Sequence, residues 1–251
     1  MKIFYFTSTG NNLAIAKRLG SKLYSIPKVL KGKQFEFEDS EIGIIFPCYY
    51  LGTPSIVKEF LSKVTLKAEY IFAIMSYGNI AAGGVNHFHK LTRQNGIKLS
   101  YLNDILMVDN YLPLFEVQKQ LDLIPKKKID ENLSKILDDI DLRKHYIKRT
   151  GLLKNFASLL ALTIGEKFVH GNVDAKFSVE SNCNSCGICA QVCPVDNIRL
   201  ETKPQYLHNC IECLGCIHHC PQNAIRLKGE KSKLRFINKE IKLSEIVKAN
   251  N

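Results

Sequence analysis

The 251-residue chain has no tryptophan and only three methionines. No apolar run approaches the roughly 18 residues that a membrane span needs; the longest aliphatic stretch is 159–164. Met1 and Lys2 lead into a short apolar run that ends at Thr7. A secretory signal would have a longer apolar region and a small-residue cleavage site, so a cytoplasmic location is expected. With 45% hydrophobic and 24% charged residues, 15 Gly and 8 Pro, the chain falls outside the collagen-like, disordered and low-complexity classes. Neither GxxxxGK(S/T) nor GxGxxG occurs, so there is no fingerprint for a nucleoside triphosphate or a dinucleotide.

Two features are abundant: nine cysteines and a net charge of +11. Cytosolic thiols are kept reduced, which makes metal ligation the default for the cysteines. The charge is spread along the chain. Its densest run is Lys126-Lys127-Lys128, expected as a solvated turn, and stretch 181–228 is nearly neutral, with four basic and three acidic residues. A diffuse excess argues against nucleic-acid binding and for an acidic partner.

Eight of the nine cysteines lie between Cys183 and Cys220. Residues 183–200, CNSCGICAQVCPVDNIRL, and 210–227, CIECLGCIHHCPQNAIRL, align without a gap. Each copy is C-x2-C-x2-C-x3-C-P, the spacing of two-cluster bacterial ferredoxins. Three thiolates on a tight loop wrap three iron corners of one cubane, and the fourth is carried away to the other cluster. Cluster 1 is therefore expected on Cys183, Cys186, Cys189 and Cys220, and cluster 2 on Cys210, Cys213, Cys216 and Cys193. Gly187 and Gly215 are expected at positive φ inside the loops. Paired zinc sites are the alternative, but they require neither the third cysteine nor the Cys-Pro in both copies. His218 and His219 are expected to be exposed or to sit behind the thiolates.

In the N-terminal half, residues 2–6 read as a strand, followed by Thr7, Ser8, Thr9, Gly10, Asn11 and Asn12. A helix comes next, with Leu13, Ala16, Leu19 and Leu23 on one face. A strand, a hydroxyl- and glycine-rich loop and a helix N-terminus together suit a phosphate. Residues 41–46 and 70–75 are further strands that open into loops. Residues 24–26 read as a short second strand, and 97–101 with 104–108 as an interrupted fifth. Alternating strands and helices imply a parallel, doubly wound sheet with its ligand at the strands' carboxyl ends.

The TSTGNN loop resembles the FMN-phosphate loop of flavodoxins, whose usual pattern is T/S-x-T-G-N-T. The resemblance implies that Thr7, Ser8, Thr9, Gly10, Asn11 and Asn12 hold the phosphate. It also implies that Pro47, Cys48, Tyr49, Tyr50, Leu51 and Gly52, with Ser76, Tyr77, Gly78, Asn79, Gly83 and Gly84, flank the isoalloxazine. Asn12 stands where flavodoxins have Thr. Without tryptophan, ring stacking would fall to Tyr49, Tyr50 or Tyr77. A receiver-like domain would instead need acidic residues where Thr7 and Ser8 stand. Together with the cysteine module, the order resembles the flavodoxin–ferredoxin fusion proteins of anaerobic bacteria and archaea. That implies an α/β fold: a flavodoxin-like doubly wound parallel five-stranded sheet, followed by a small α+β ferredoxin module with two 4Fe-4S clusters. The expected division is 1–147 for the FMN domain, 148–177 for a linker helix, 178–228 for the ferredoxin domain and 229–251 for a basic tail.

Residues 129–147 have an amphipathic helical pattern. From Gly151, Leu152, Leu153, Phe156, Leu159, Leu160 and Ile164 form a second apolar stretch beside Lys148, Arg149 and Lys154. It reads either as a membrane-surface helix or, preferably, as a linker helix docking the ferredoxin module. The tail 237–247 has helical spacing. Cys48 reads as a buried, inert thiol. His87 and His89 face different ways on a helix and make no joint metal site. The expected function is electron transfer between FMN and two 4Fe-4S clusters and on to an acidic redox protein, a ferredoxin or an anaerobic oxidoreductase. The alternative is an FMN-dependent reductase of a quinone or nitroaromatic acceptor, with Tyr111 and Leu112 helping to line its pocket. No catalytic residue and no membrane span is expected, and a homodimer stays open.

Overall fold

Six strands form one parallel sheet in the computed structural model of the chain, which describes residues 1–20, 22–169 and 173–251. The first elements are β1 (Lys2–Tyr5), α1 (Asn11–Leu19), β2 (Lys22–Ser25), α2 (Ile26–Lys31) and β3 (Glu36–Glu38). Next come β4 (Glu41–Pro47), α3 (Ser55–Lys63), β5 (Thr65–Lys67), β6 (Tyr70–Tyr77), α4 (Gly84–Gln94) and β7 (Tyr101–Leu106). After β7 the chain forms α5 (Val117–Asp122), α6 (Ile124–Lys127), α7 (Ile129–Asp141), β8 (Tyr146–Ile147) and α8 (Leu152–Val169). The main sheet runs β2-β1-β4-β6-β7-β8, while β3 and β5 pair separately. The first five strands of that order are compatible with a flavodoxin-like sheet.

Strands β4 and β6 are near-continuous apolar runs, buried on both faces as an interior parallel sheet requires. Alternate side chains divide between the two faces. Phe4, Ile44 and Phe46 pack with Val57 and Phe60 of α3 and Phe88 of α4. Ile3, Ile45 and Ile74 pack with Leu13 and Ile15 of α1 and Ile136 and Ile140 of α7.

Several expectations are corrected. The sheet has six strands rather than five, because α7 returns the chain to the open edge of β7, where Tyr146 and Ile147 pair with Tyr101 and Leu102. The fifth strand is one unbroken β7. The break expected at 102–103 is absent: Asn103 Nδ2 donates to the Tyr101 hydroxyl (2.8 Å) and Lys148 pairs with Asp104 (2.7 Å), so both polar side chains are satisfied within the strand. Leu23 belongs to β2, since Gly20 ends α1. The helix expected over 129–147 stops at Asp141. Lys127 is not solvated; it is buried, and its Nζ donates to the carbonyls of Gly78 and Met107, each at 2.7 Å.

The C-terminal module comprises β9 (Phe177–Val179), α9 (Ile188–Gln191), β10 (Ile198–Leu200), β11 (Pro204–Tyr206), α10 (Gly215–His218) and β12 (Ile225–Leu227). The repeated Ile-Arg-Leu triplets are β10 and β12, which pair antiparallel with β11 and β9. Gly187 has the expected positive φ of 77°, but in the second loop Leu214, not Gly215, is left-handed, at 56°. Helix α11 (Leu243–Asn250) ends the chain and packs back on the fold. Its Asn250 Nδ2 donates to Val192 O of the module (3.0 Å), and Ser25 Oγ donates to Ala249 O.

Of the two positions open to them, exposed or behind the thiolates, His218 and His219 are not exposed: both are buried, and they join the two halves. His218 Nδ1 accepts from the Phe236 N–H (3.1 Å), so its Nε2 carries the proton and donates to Asn110 O (2.9 Å). Burial holds its pKa down at about 3, which keeps the ring neutral for both bonds. His219 Nε2 donates to Ser8 O (2.9 Å). Replacing His218 by Ala leaves a cavity and two unpaired backbone groups. His218→Ala is expected to lower unfolding free energy by about 3–5 kcal/mol, measured by urea denaturation.

Candidate cofactor sites

A crevice of about 390 Å³ lies at the carboxyl ends of β1, β4, β6 and β7, where doubly wound sheets hold their ligands. Thr7, Ser8, Thr9, Asn11 and Asn12 line one end. Pro47, Cys48, Tyr49, Tyr50 and Leu51 line one wall, with Ser76, Tyr77, Gly78 and Asn79 beside them. Four residues of the expected set do not line it. Gly10 heads α1 at φ 101°, and Gly52 closes a turn by exchanging two backbone bonds with Tyr49. Gly83 and Gly84 serve packing: a Cβ on Gly83 would come within 2.7 Å of Asn155 on α8, and one on Gly84 within 2.9 Å of Met75.

Most side chains of the first loop are already committed. Thr7 Oγ1 accepts from the Gly10 N–H (3.1 Å), and Asn110 Nδ2 donates to Thr9 Oγ1 (2.5 Å). Asn11 Nδ2 donates to Val108 O (3.2 Å), and Asn12 Nδ2 donates to Phe6 O (2.9 Å). The C-terminal segment braces the loop from outside, with Asn238 N–H donating to Thr9 O (2.8 Å). The side chains therefore shape the loop, and its backbone N–H groups other than that of Gly10, with the start of α1, remain to meet an anion. Among the described residues no Lys or Arg lines the crevice.

The second wall contains residues the sequence reading missed: Met107, Val108, Asp109 and Asn110 after β7, with Leu114 and Phe115. The rule used for the loops after β4 and β6 applies equally to β7 and would have found them. Tyr111 lines the crevice as expected, whereas Leu112 does not. Tyr50 and Leu51 both have left-handed backbones (φ 49° and 59°), a strained turn that sets Tyr50 edge-on to Tyr111 with ring centroids 6.3 Å apart. Both hydroxyls donate to Glu212, that of Tyr111 to Oε1 at 3.0 Å and that of Tyr50 to Oε2. Burial pushes the Glu212 carboxyl up to about 7. Its signal in the sequence was the one acidic residue inside a cysteine loop, aligned with Ser185 of the other copy. Burial also raises the Cys48 thiol to about 12, as befits an inert cysteine. His87 Nδ1 accepts from the Thr53 N–H (3.2 Å).

The other eight thiols surround two small cavities. Cys183, Cys186, Cys189 and Cys220 line one; Cys193, Cys210, Cys213 and Cys216 line the other. Among the described residues no three His, Cys, Asp or Glu converge on a single ion. A cubane does not ask for that, because each thiolate binds a different corner. Backbone N–H groups of Asn197, Glu212 and Ala224 donate to the sulfurs of Cys193, Cys210 and Cys220, each at 3.3 Å. Burial pushes Cys189 and Cys210 up to about 11, so their thiolates depend on a cation in the cavity. The Tyr206 hydroxyl, beside the second cavity, is buried with no partner among the described residues. Cys213 and Leu214 border both the second cavity and the crevice.

A Cβ on Gly78 would lie 2.2 Å from Asp109 Oδ2, and Asp109 is held by Asn79 Nδ2 (2.8 Å) and the Tyr111 N–H (2.9 Å). Gly78→Ala is expected to displace Asp109 and cost about 1–3 kcal/mol, read from the urea midpoint.

Residues 182–225 match the family model of the 4Fe-4S dicluster domain. No curated protein matches the chain. The C-terminal module is a ferredoxin domain of the 4Fe-4S dicluster type, suited to iron–sulfur electron transfer.

Proposed function

We propose that the chain is an electron-transfer flavo-iron–sulfur protein, with FMN in the crevice and two 4Fe-4S clusters in the thiol-lined cavities. The observation that carries this reading is Cys213, which lines the crevice on one side and a four-thiol cavity on the other. In this reading Cys193, Cys210, Cys213 and Cys216 hold the proximal cluster, and Cys183, Cys186, Cys189 and Cys220 the distal one. Cys186 is exposed, which gives the distal cavity an outlet to a docking protein. The residues lining that cavity carry no charge, so an acidic partner meets no concentrated basic patch among them.

The crevice suits FMN on its own chemistry. A helix start and backbone amides await a phosphate at one end, and Tyr49, Tyr50, Tyr77 and Tyr111 offer faces to a ring at the other. Bound there, a flavin supplies one- and two-electron chemistry beside clusters that move one electron at a time. Tyr50 and Tyr111, fixed through Glu212, hold the ring wall against the proximal loop. Backbone N–H groups on the Cys193, Cys210 and Cys220 sulfurs stabilise the thiolates. A second reading, an FMN-dependent reductase of a quinone or nitroaromatic, is favoured by the apolar mouth, where Ile80 and Leu114 are 68% and 65% exposed.

Anaerobic purification with iron, sulfide and FMN tests the proposal. The expected product holds one flavin and two clusters, and Cys220→Ser or Cys193→Ser each halves the iron content. In the variants, loss is expected at the distal cavity for Cys220→Ser and at the proximal one for Cys193→Ser, distinguished by EPR. Failure to retain FMN after gentle purification sinks the flavin half of the proposal. Rapid exchange with protein carriers alone supports the carrier reading; saturable turnover of a quinone at low KM supports the reductase.

A further inference from the structure

Helix α8 is docked in reverse for a helix that covers a core. Asn155 and Ser158 face the protein: the Gly83 N–H donates to Ser158 Oγ (2.5 Å), and Asn86 Nδ2 donates to Asn155 Oδ1 (2.6 Å). Ser158 is buried, whereas Leu152, Leu153, Phe156, Leu159 and Leu160 are 87%, 88%, 69%, 63% and 54% exposed. A helix at home in water turns its apolar stripe inward. In the described residues α8 packs on α4, and of the apolar stretch expected to dock the cysteine module the side chains of Ile164 and Phe168 lie outside the described residues.

Along α4 and the described part of α8 the charges are of one sign; Glu166, further along α8, has its side chain outside the described residues. Neither 84–94, which is α4, nor 142–165 contains an Asp or Glu. Lys148 is paired with Asp104, Arg143 with Glu41 and Lys144 with Asp139. Lys90, Arg93, Arg149 and Lys154 are exposed. A second copy seated face to face would set these cations against their own kind. A convex ridge of leucine and phenylalanine flanked by Lys and Arg is instead the form that settles into a lipid interface. Among the described residues no helix is long and apolar enough to cross a membrane.

We propose that α8 seats the protein on an anionic lipid surface, its Leu and Phe side chains entering the boundary between headgroups and acyl chains and the basic residues meeting lipid phosphates. This holds whatever the crevice binds. It has a consequence for access, because Ala161 of α8 lines the crevice and the exposed Ile80 and Leu114 rim it, so a seated α8 brings that mouth to the lipid.

Sedimentation of the full chain with vesicles tests it, using phosphatidylcholine with phosphatidylglycerol and phosphatidylcholine alone. The chain is expected to bind the phosphatidylglycerol vesicles and to release as salt rises. Phe156→Asp with Leu160→Asp should weaken binding on the order of tenfold or more. Its urea midpoint should match the parent, because these side chains are exposed. Lys154→Glu should weaken binding to the anionic vesicles only. Absence of vesicle binding, equal binding to both compositions, or equal binding by the double variant overturns the proposal. So does a dimer, or capture of an acidic protein, that needs α8 where vesicles do not bind.

Discussion

Two imidazole N–H groups hold the molecule's two halves in register. His218 and His219 sit at the end of α10, two and three residues after Cys216, and donate to the carbonyls of Asn110 and Ser8. Those carbonyls belong to the loops after β7 and β1, which both line the crevice and are tied to each other through Asn110 and Thr9. One short helix thus ties the second thiol-lined cavity to the ligand face of the sheet. A charged His218 would meet the Phe236 N–H with a second donor, so burial and the loss of charge are part of the same fastening. For the proposed electron transfer between crevice and cavity, a joint made of short, neutral, buried bonds would keep the distance constant.

Around this joint, both candidate sites are built where regular structure ends. The crevice is made from four strand-to-loop junctions, and the cavities from the loops before α9 and α10. The reason is the same in each case: a strand or helix spends its N–H groups on itself, and only at its ends do they become available for phosphate or sulfur. The C-terminal segment, which follows the module, returns over the first loop through Asn238 and seats Ile246 and Ala249 against the sheet's α1 and α7 face. It is a strap rather than a loose tail. The exposed basic and apolar residues around α4 and α8 lie apart from the thiol cavities, so the +11 charge is not focused on the cysteine module.

Legibility in the sequence followed the range of the interactions. The cysteine repeat was readable because its chemistry is local: the spacing of three thiols on one loop is set by covalent geometry, and the structure groups the eight thiols into two sets of four. The β1 loop was readable for the same reason. The break expected at 102–103 in the fifth strand was an error of context, since Asn103 finds its partner in the Tyr101 hydroxyl and stays in the strand. Lys127 looked solvated until the carbonyls of Gly78 and Met107 converged on it.

By itself the sequence determined the class of each half, a parallel α/β sheet with an open first loop and a doubled cysteine module, because hydrophobic period and ligand spacing act over a few residues. Only the tertiary structure decided which cavity borders the crevice, that Glu212 joins Tyr50 and Tyr111 there, and that α8 turns its apolar side outward. Each of those depends on groups more than 60 residues apart in the chain, such as Tyr50 and Tyr111 or Tyr50 and Glu212. No pattern confined to a single loop or helix encodes which of them meet.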